Sequence, residues 1–201
     1  MKLEIKYNKT VLREFQTKLK MREKALPTLK NKEAALRAMV FETRRSLGEA
    51  RTALQDVLSG MEVWKNLWKE FDFSLFQVKQ VRVSRHKIAG ILIPRFEGVE
   101  TTVRPFSLTL YPDWFSEALP GLQKLLEAEA KKQVVEQRLK LLEEARKKAT
   151  QKVNLYEKVQ IPALEDAIRQ IKRYLEDEDN LSKASQKLLK NKLQQAELQQ
   201  V

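Results

Sequence analysis

The feature of this sequence that most constrains its fold is a repeat of apolar residues that extends from Leu12 to Trp68. Successive positions lie alternately three and four residues apart, and 14 of the 17 positions are apolar. A repeat of 3.5 residues keeps one face of an α-helix against a partner helix and produces a left-handed coiled coil. We therefore expect one long helix with this seam. The seam positions are Leu12, Phe15, Leu19, Arg22, Leu26, Leu29, Glu33, Leu36, Val40, Thr43, Leu47, Ala50, Leu54, Val57, Met61, Trp64 and Trp68.

A second long helix is predicted for the last part of the chain, from about residue 122 onwards. Its apolar positions follow two heptad registers that differ by one residue, and the change falls beside Pro162. A proline can bend or rewind a helix locally, and this changes the phase of a seam. The first register comprises Leu125, Ala128, Val135, Leu139, Leu142, Ala149, Val153 and Tyr156, and the second comprises Ile161, Leu164, Ile168, Ile171 and Leu175.

Several residues mark the expected ends of these helices. Thr10 is a candidate N-cap of the first helix. Pro27 is expected to kink that helix rather than end it, with two shorter helices as the alternative. Helix is expected to restart at Pro112, and Pro120 could then interrupt it. The acidic run 176–179 is expected to fray or end the second long helix, because carboxylates are unfavourable near a helix C-terminus. One further amphipathic helix would then contain Leu181, Leu188, Leu189 and Leu193.

The segment between the two helices has a different composition. Val78, Val81 and Val83 alternate loosely with basic residues, and two more runs rich in β-branched residues follow. Such runs, bounded by Gly and Pro, predict strands of about five or six residues. Gly98 lies between two of them and could form part of a hairpin turn. The aromatic residues before the strands are expected to plug the end of the helix pair; they are Trp64, Trp68, Phe71, Phe73 and Phe76.

Together these patterns predict a mainly all-α protein. The N- and C-terminal helices form a long antiparallel two-helix coiled coil, and a short β-hairpin-containing segment lies at one end of it. We expect one structural unit with three parts. These are an N-terminal coiled-coil helix in residues 1–76, a middle β-hairpin and short-helix segment in residues 77–118, and a C-terminal coiled-coil helix and tail in residues 119–201.

Composition argues against catalysis. The chain has 201 residues, no cysteine and a single histidine, His86. A disulfide framework, a thiolate metal site and a His-based metal cluster are therefore excluded. His86 lies in a basic stretch, where we expect it to be exposed. No Gly-rich phosphate loop occurs, and the carboxylates alternate with Lys and Arg as on solvated helix faces. We expect no catalytic, cofactor or metal site.

Charge and hydropathy bear on partners and location. The net charge is +12, which suits acidic protein surfaces, nucleic acid or anionic lipid without choosing among them. No apolar run approaches the roughly 18 residues that span a bilayer, and the N-terminal residues lack the apolar core of a signal peptide. We expect a soluble intracellular protein with no direct membrane insertion.

Three stretches have a recognisable pattern: the N-terminal helix with Leu12, Leu19, Leu26, Leu29 and Leu36, the middle run 88–97, and residues 153–164. In these stretches the chain resembles the D subunit of the V-type (vacuolar/archaeal-type) ATPases, a family also found in some bacteria. The similarity extends over almost the full length, and its most specific part has Val-Asn followed by Ile-Pro and Leu within the C-terminal helix. The run 146–152 and the Gln-rich tail depart from the usual family pattern.

The resemblance implies a central-stalk rotor component that binds no nucleotide itself. In this family the end bearing the termini inserts into the hexamer of catalytic A and regulatory B subunits. The other end meets the F subunit and the funnel-shaped C (or d) subunit that sits on the membrane ring. Such a protein would lie peripherally on the cytoplasmic side of the membrane. It would couple ATP hydrolysis or synthesis to proton or sodium translocation.

A shaft of this kind turns within a sleeve of other proteins, and charged contacts can be exchanged there without exposing large apolar patches. Residues 1–60 carry a net charge of +7, and we expect their basic side chains to form part of the bearing face. Two other functions remain as alternatives: a basic coiled-coil nucleic-acid-binding protein, although nucleic acid is not the expected partner, and a generic coiled-coil tether. The proposed bearing residues are Arg13, Lys20, Lys24, Arg44, Arg45 and Arg51.

Overall fold

The computed structural model describes residues 5–107 and 109–198, with side chains as far as residue 192. It confirms the predicted fold class, because long helices precede and follow a two-stranded antiparallel hairpin. Short 3-10 turns follow the first helix, and a π-helical segment, Leu155–Gln160, joins the last two helices. The main elements are α1 (Lys9–Met61), β1 (Phe76–Ile88), β2 (Ile91–Val103), α2 (Trp114–Asn154) and α3 (Ile161–Leu198).

Contacts within the chain define two compact units. The terminal unit comprises the described residues up to Asn31 together with those from Thr150 onwards. The hairpin unit comprises residues 32–149. The division of the chain into segments 1–76, 77–118 and 119–201 is drawn along the sequence rather than from contacts, and it stays a prediction.

In the terminal unit, α1 and α3 run antiparallel. The Arg22 Nε donates a hydrogen bond to the side-chain oxygen of Gln160 at 2.6 Å, and Lys30 Nζ lies 2.6 Å from Glu157 Oε1. The residue number of the partner falls as the number along α1 rises, and this order defines the antiparallel arrangement. Between the helices lies a core of buried side chains, which are Phe15, Leu164, Ala167, Ile168 and Ile171.

In the hairpin unit, α1 pairs with α2 in the same antiparallel sense. Arg44 lies 2.6 Å from Glu143, and Arg51 lies 2.9 Å from Glu136. The hairpin packs on this helix pair through the residues at its turn, and Ile93 from β2 is part of the core. The buried side chains of this core are Leu36, Val40, Ile93, Leu142 and Ala149.

The seam prediction for α1 is confirmed residue by residue. None of its 17 positions is exposed; for example, Phe15 and Leu36 lie in cores shared with residues of the C-terminal half, and Trp64 packs on the aromatic cluster described below. Thr43 is 2 % exposed, and its hydroxyl has no hydrogen-bond partner within the part of the chain that the structure describes. In the part of α2 that the heptad assignment covered, from Leu125 onwards, the structure adds one buried residue, Val134.

The hairpin turn is not where the sequence placed it. Ile88 pairs with Ile91, and the two residues between them have φ angles of +51° at Ala89 and +83° at Gly90. Positive φ at both central positions is the requirement of a type I′ turn, which suits the right-handed twist of paired strands. The prediction of a turn at Gly98 is wrong, since Gly98 lies within β2 beside a register shift. Each strand has 13 residues, about twice the expected length.

The C-terminal end of α1 also differs from the prediction. The α-helix ends at Met61 rather than Trp68, and three 3-10 turns follow it. A 3-10 turn places residues i and i+3 on the same side, so the three- and four-residue spacing continues while the helix type changes. Trp64 and Trp68 therefore remain half-buried although they lie outside the α-helix.

The N-cap of α1 is Asn8 rather than Thr10. The Asn8 Oδ1 accepts a hydrogen bond from the backbone N–H of Val11 at 2.7 Å, which satisfies one of the donors left free in the first turn. Thr10 already has helical geometry. The predicted cap was therefore displaced by two residues.

Prolines interrupt neither α1 nor α2. Helix α1 is continuous through Pro27, so the alternative of two shorter helices is wrong. Helix α2 begins at Trp114, close to the restart predicted at Pro112, and it continues through Pro120 instead of beginning anew near Leu122. Pro112 lies just before α2, and its carbonyl accepts a hydrogen bond at the start of the helix. An interruption at Pro120 was a wrong prediction.

The acidic run 176–179 does not end α3, which continues to Leu198. The carboxylates lie in the interior of the helix, so the unfavourable interaction with a helix C-terminus does not apply. Asp179 instead pairs with Lys183 at 2.9 Å, one turn later. The separate helix predicted beyond residue 180 is thus part of α3, and the side chain of its last predicted leucine, Leu193, lies outside the described residues.

The change of register in the second seam has a structural cause. Residues Leu155–Gln160 form a π-helix immediately before Pro162. A π turn holds one more residue than an α turn, so the seam advances from the register of Tyr156 to that of Ile161 without a break in the helix. This agrees with the predicted local rewinding beside Pro162.

Candidate partner-binding surfaces

An apolar and aromatic cluster occupies the part of the hairpin unit where α1 ends. Its side chains come from the 3-10 turns, the loop before α2 and the first turns of α2, and neighbouring rings meet edge to face or tilted. Such ring pairs add about 0.5–1.5 kcal/mol beyond the apolar area that they bury. The predicted aromatic plug is therefore confirmed, except that Phe73 is 61 % exposed. The buried members are Phe71, Leu75, Phe115, Ala118 and Leu119.

The loops around this cluster are tied together by Asp72. Its Oδ1 accepts a hydrogen bond from the backbone N–H of Ser74 at 2.9 Å, and Tyr111 donates its hydroxyl to Oδ2 at 3.2 Å. The bonds from Ser74 hold the pKa of Asp72 below its ordinary value. The bond to Asp72 raises the pKa of Tyr111. The two loop segments on either side of the hairpin are thereby held in one arrangement.

Beside the cluster lies an open apolar cavity of about 330 Å³. Leu58 and Phe73 line it and are themselves largely exposed. Gly121 shapes the adjoining contact, because a Cβ atom there would lie only 3.3 Å from the ring of Trp64. Exposed apolar side chains around a cavity are characteristic of a protein-binding surface. We call this cavity and its rim the apolar end surface; its apolar lining residues are Leu58, Met61, Trp68, Phe73, Leu122 and Leu125.

A second exposed surface follows the later part of α3. Leu181, Leu188 and Leu189 are each more than 60 % exposed. Residues 180–192 contain four lysines and no carboxylate. An apolar and basic helix face of this kind fits a groove that is apolar and acidic. We call residues 180–192 the α3 extension.

The structure separates the six predicted bearing residues into two groups. Arg44 and Arg51 form ion pairs across the helices of the hairpin unit, and Arg45 pairs with Glu49 one turn away. The other three lie in the terminal unit, are exposed and form no ion pair with the residues that the structure describes. Those three are Arg13, Lys20 and Lys24.

The side chains that could bind a metal are scattered over the described part of the chain. Among the described residues, no three or more His, Asp or Glu side chains lie together in a group that could hold a metal ion. His86 is exposed as expected, and its Nε2 lies 3.2 Å from Ser84 Oγ. Among the described helices, none is long and apolar enough to cross a membrane.

Comparison with known proteins gives one consistent family. The model of the ATP synthase D subunit matches residues 11–191. A V-type ATP synthase D subunit of Borreliella burgdorferi is 29 % identical over 191 residues, covering 94 % of this chain and 95 % of that protein. The protein of the same name from Chlamydia muridarum is 28 % identical over 97 % of this chain and 98 % of its own length. The resemblance to the V-type ATPases noted above is thereby confirmed, and the chain belongs to the family of ATP synthase D subunits.

Proposed function

We propose that this chain is the central-stalk rotor component of a V-type ATPase or ATP synthase. It transmits torque between ATP hydrolysis or synthesis in the hexamer of A and B subunits and proton or sodium translocation by the membrane ring. The chain itself is not catalytic, and it lies peripherally on the cytoplasmic side of the membrane. The observation that carries the proposal is the family match over residues 11–191.

The helix pairs support a mechanical role. Helix α1 is continuous over 53 residues, and in each unit it is held to a second helix by a buried seam and by ion pairs across it. Twisting one helix against the other would expose seam residues, each of which contributes about 1.5–3 kcal/mol when buried. Paired helices therefore resist torsion more strongly than a single helix does.

The two surfaces described above suit different partners. We assign the α3 extension to the hexamer of A and B subunits, since its exposed leucines and lysines fit an apolar and acidic sleeve. We assign the apolar end surface to the F subunit or to the C (or d) subunit, because its cavity and exposed rings offer a socket for apolar side chains. The exposed cations Arg13, Lys20 and Lys24 complete the bearing face.

The first experiment is an affinity pull-down of the full chain from mildly detergent-solubilised membranes, with the recovered proteins identified by mass spectrometry. We expect the two large nucleotide-binding subunits and a small stalk protein. Recovery of nucleic acid with a steep dependence on salt would instead support the DNA-binding alternative. A parallel dimer of the chain alone would support the tether.

Rotation is then tested directly. The hexamer is fixed to glass, a bead is attached to the hairpin, and ATP is added; the proposal requires the bead to turn. In a matched pair of variants, Leu181, Leu188 and Leu189 are changed together to Ser, and Phe41, which is 76 % exposed on α1, is changed to Ser as the control. Loss of three docked leucines should weaken assembly by more than about tenfold. Equal behaviour of the two variants would refute the assignment of the α3 extension.

A further inference from the structure

A basic cleft lies between the hairpin and α2, outside the surfaces assigned above. It has a volume of about 530 Å³, and four of its lining side chains are basic. Its other walls are apolar, so the cleft combines positive charge with an apolar rim. The basic residues are His86, Lys87, Arg95 and Arg138, and the apolar walls include Ile93 and Pro94.

Strand pairing explains why these residues meet. His86 pairs with Ile93, and Ser84 pairs with Arg95. Directly paired residues of an antiparallel ladder project from the same face of the sheet, and so do residues two apart on one strand. Ile93 is 2 % exposed because it packs on the helices. His86 and Arg95 therefore share the face of the hairpin that is turned toward α2, where Arg138 lies.

Within the described residues, Arg138 forms no ion pair like those that Arg44 and Arg51 form across the helices. Its Nε is buried and makes no hydrogen bond within the part of the chain that the structure describes. The residues three and four positions away on α2 are all apolar, so no carboxylate on its own helix can pair with it. A buried donor of a charged group that has no acceptor destabilises the structure, because its interaction with water is lost and not replaced. Arg44 and Arg51, by contrast, each pair with a glutamate of α2.

The nearest acidic residue along β2 does not fill this role. Glu97 is exposed and two residues from Arg95 in sequence, and no ion pair joins them in the described structure. Glu97 lies at the register shift of the hairpin, between Phe96 and Gly98, and has no paired residue on β1. The positive charge of the cleft therefore has no acceptor among the residues that line it.

The chemistry of the cleft favours a carboxylate over a phosphate. Protein phosphate sites are commonly built from backbone N–H groups at helix N-termini, whereas all the donors here are side chains and Arg138 lies in the interior of α2. A guanidinium binds either group through two parallel hydrogen bonds, so the remaining lining of the cleft is what distinguishes them. The apolar walls suit the methylene groups of an aspartate or glutamate side chain. An acidic side chain on a partner polypeptide meets both requirements.

We propose that the basic cleft receives an aspartate or glutamate side chain of a neighbouring protein in the complex, with Arg138 as its main ligand and Arg95 and His86 beside it. The inference rests on the proposed function, in that the chain works within a multisubunit complex. It adds to that function a specific contact on the side of the hairpin, made by charge complementarity rather than by apolar docking.

Zero-length carbodiimide coupling tests the proposal in solubilised membranes that contain the full chain. The reagent joins an amine to a carboxylate in direct contact, so Lys87 should be found joined to an Asp or Glu of another protein. Arg138→Lys places an amine deeper in the cleft and should give the same partner peptide. Lys140, exposed on α2 two residues from Arg138, serves as the internal control and should not be joined to that peptide.

A second measurement compares Arg138→Gln with Lys140→Gln for retention of the chain in its complex as salt is raised. Loss of a charged hydrogen-bonded pair should weaken retention about tenfold or more for Arg138→Gln only. Circular dichroism of both variants shows whether each is folded, and Arg138→Lys supplies a second folded variant.

Two results would overturn the inference. One is that Lys87 and the lysine introduced by Arg138→Lys couple only to residues of this chain, while Arg138→Gln leaves retention of the chain in its complex unchanged. The other is a rise in Tm on addition of inorganic phosphate that Arg138→Gln abolishes, since the cleft would then bind a free anion. Recovery of the nucleotide-binding subunits with the wild-type chain is scored separately. The protein to which the coupled peptide belongs shows whether the cleft contacts a neighbour, and this result does not depend on which complex the chain belongs to.

Discussion

Deletion of Lys158 tests whether the π-helical segment corrects the phase of the second seam. Lys158 is exposed within that segment. Removing one residue allows the π turn to become α-helical while the flanking residues keep their phase, because a π turn holds one residue more than an α turn. The seam residues Tyr156, Ile161 and Leu164 should therefore keep facing α1 in the terminal unit.

Deletion of Arg169 is the matched control, since this residue is also exposed and basic but lies within α3. An α-helix turns by about 100° per residue, so the deletion rotates every later residue away from α1. Ile171, which is fully buried, would then face solvent. If the π segment became α-helical to compensate for the deletion, the seam residues between that segment and position 169 would instead rotate away from α1. Either way at least one large buried side chain is lost from the core.

The expected cost follows from that loss. Removal of a buried Ile or Leu side chain from a core costs about 2–5 kcal/mol. For a chain of this length, each kcal/mol lowers Tm by about 2–4 °C, so the Arg169 deletion should lower Tm by roughly 4–20 °C. The Lys158 deletion should change the free energy of unfolding by less than about 1 kcal/mol, because no seam residue changes its environment.

Thermal and urea denaturation followed by circular dichroism at 222 nm would measure both effects on the full chain. The reasoning requires the Lys158 deletion to be much the milder of the two. If it destabilises the protein as much as the Arg169 deletion does, the π segment does not correct the seam phase, and another feature must account for the change of register.

Three further predictions concern the hairpin unit. Leu142→Ala should lower the free energy of unfolding by about 2–5 kcal/mol, whereas Leu141→Ala, at an exposed neighbouring position, should cost about 1 kcal/mol or less; equal urea midpoints would contradict this. A double-mutant cycle on Arg44 and Glu143, each changed to Gln, should give a coupling energy below about 1 kcal/mol that falls further at high salt, because both side chains are largely solvated. The pKa of Asp72 is lowered on folding, so its ionised form stabilises the folded state above the ordinary value of 3.8, and this contribution is lost as pH falls through the lower folded-state pKa. The difference in urea midpoint between wild type and Asp72→Asn should therefore shrink on acidification, and a difference independent of pH would exclude this titration as its source.

The candidate surfaces were only partly predictable. The aromatic plug followed from the sequence because Trp64 and Trp68 continue the seam and more aromatic residues come directly after them. Its partners Phe115 and Leu119 were missed, since the first turns of α2 were expected to be interrupted at Pro120 and were not assigned to a seam. The basic cleft was missed as well. Arg138 has apolar neighbours one turn away on either side along α2, which places it beside the seam, but nothing in the local sequence indicates that the hairpin would cover it.

The sequence by itself determined the helices, their seams and the one-residue change of register, because apolar periodicity is a local property that any partner helix must satisfy. Only the tertiary structure decided where α1 gives way to 3-10 turns, since both helix types satisfy the same spacing of apolar residues. It also decided which glycine forms the hairpin turn: Gly90 and Gly98 both have positive φ, and the choice depends on which strand register buries Ile93 against the helices. Long-range contacts between elements select among local possibilities that are equal in the sequence.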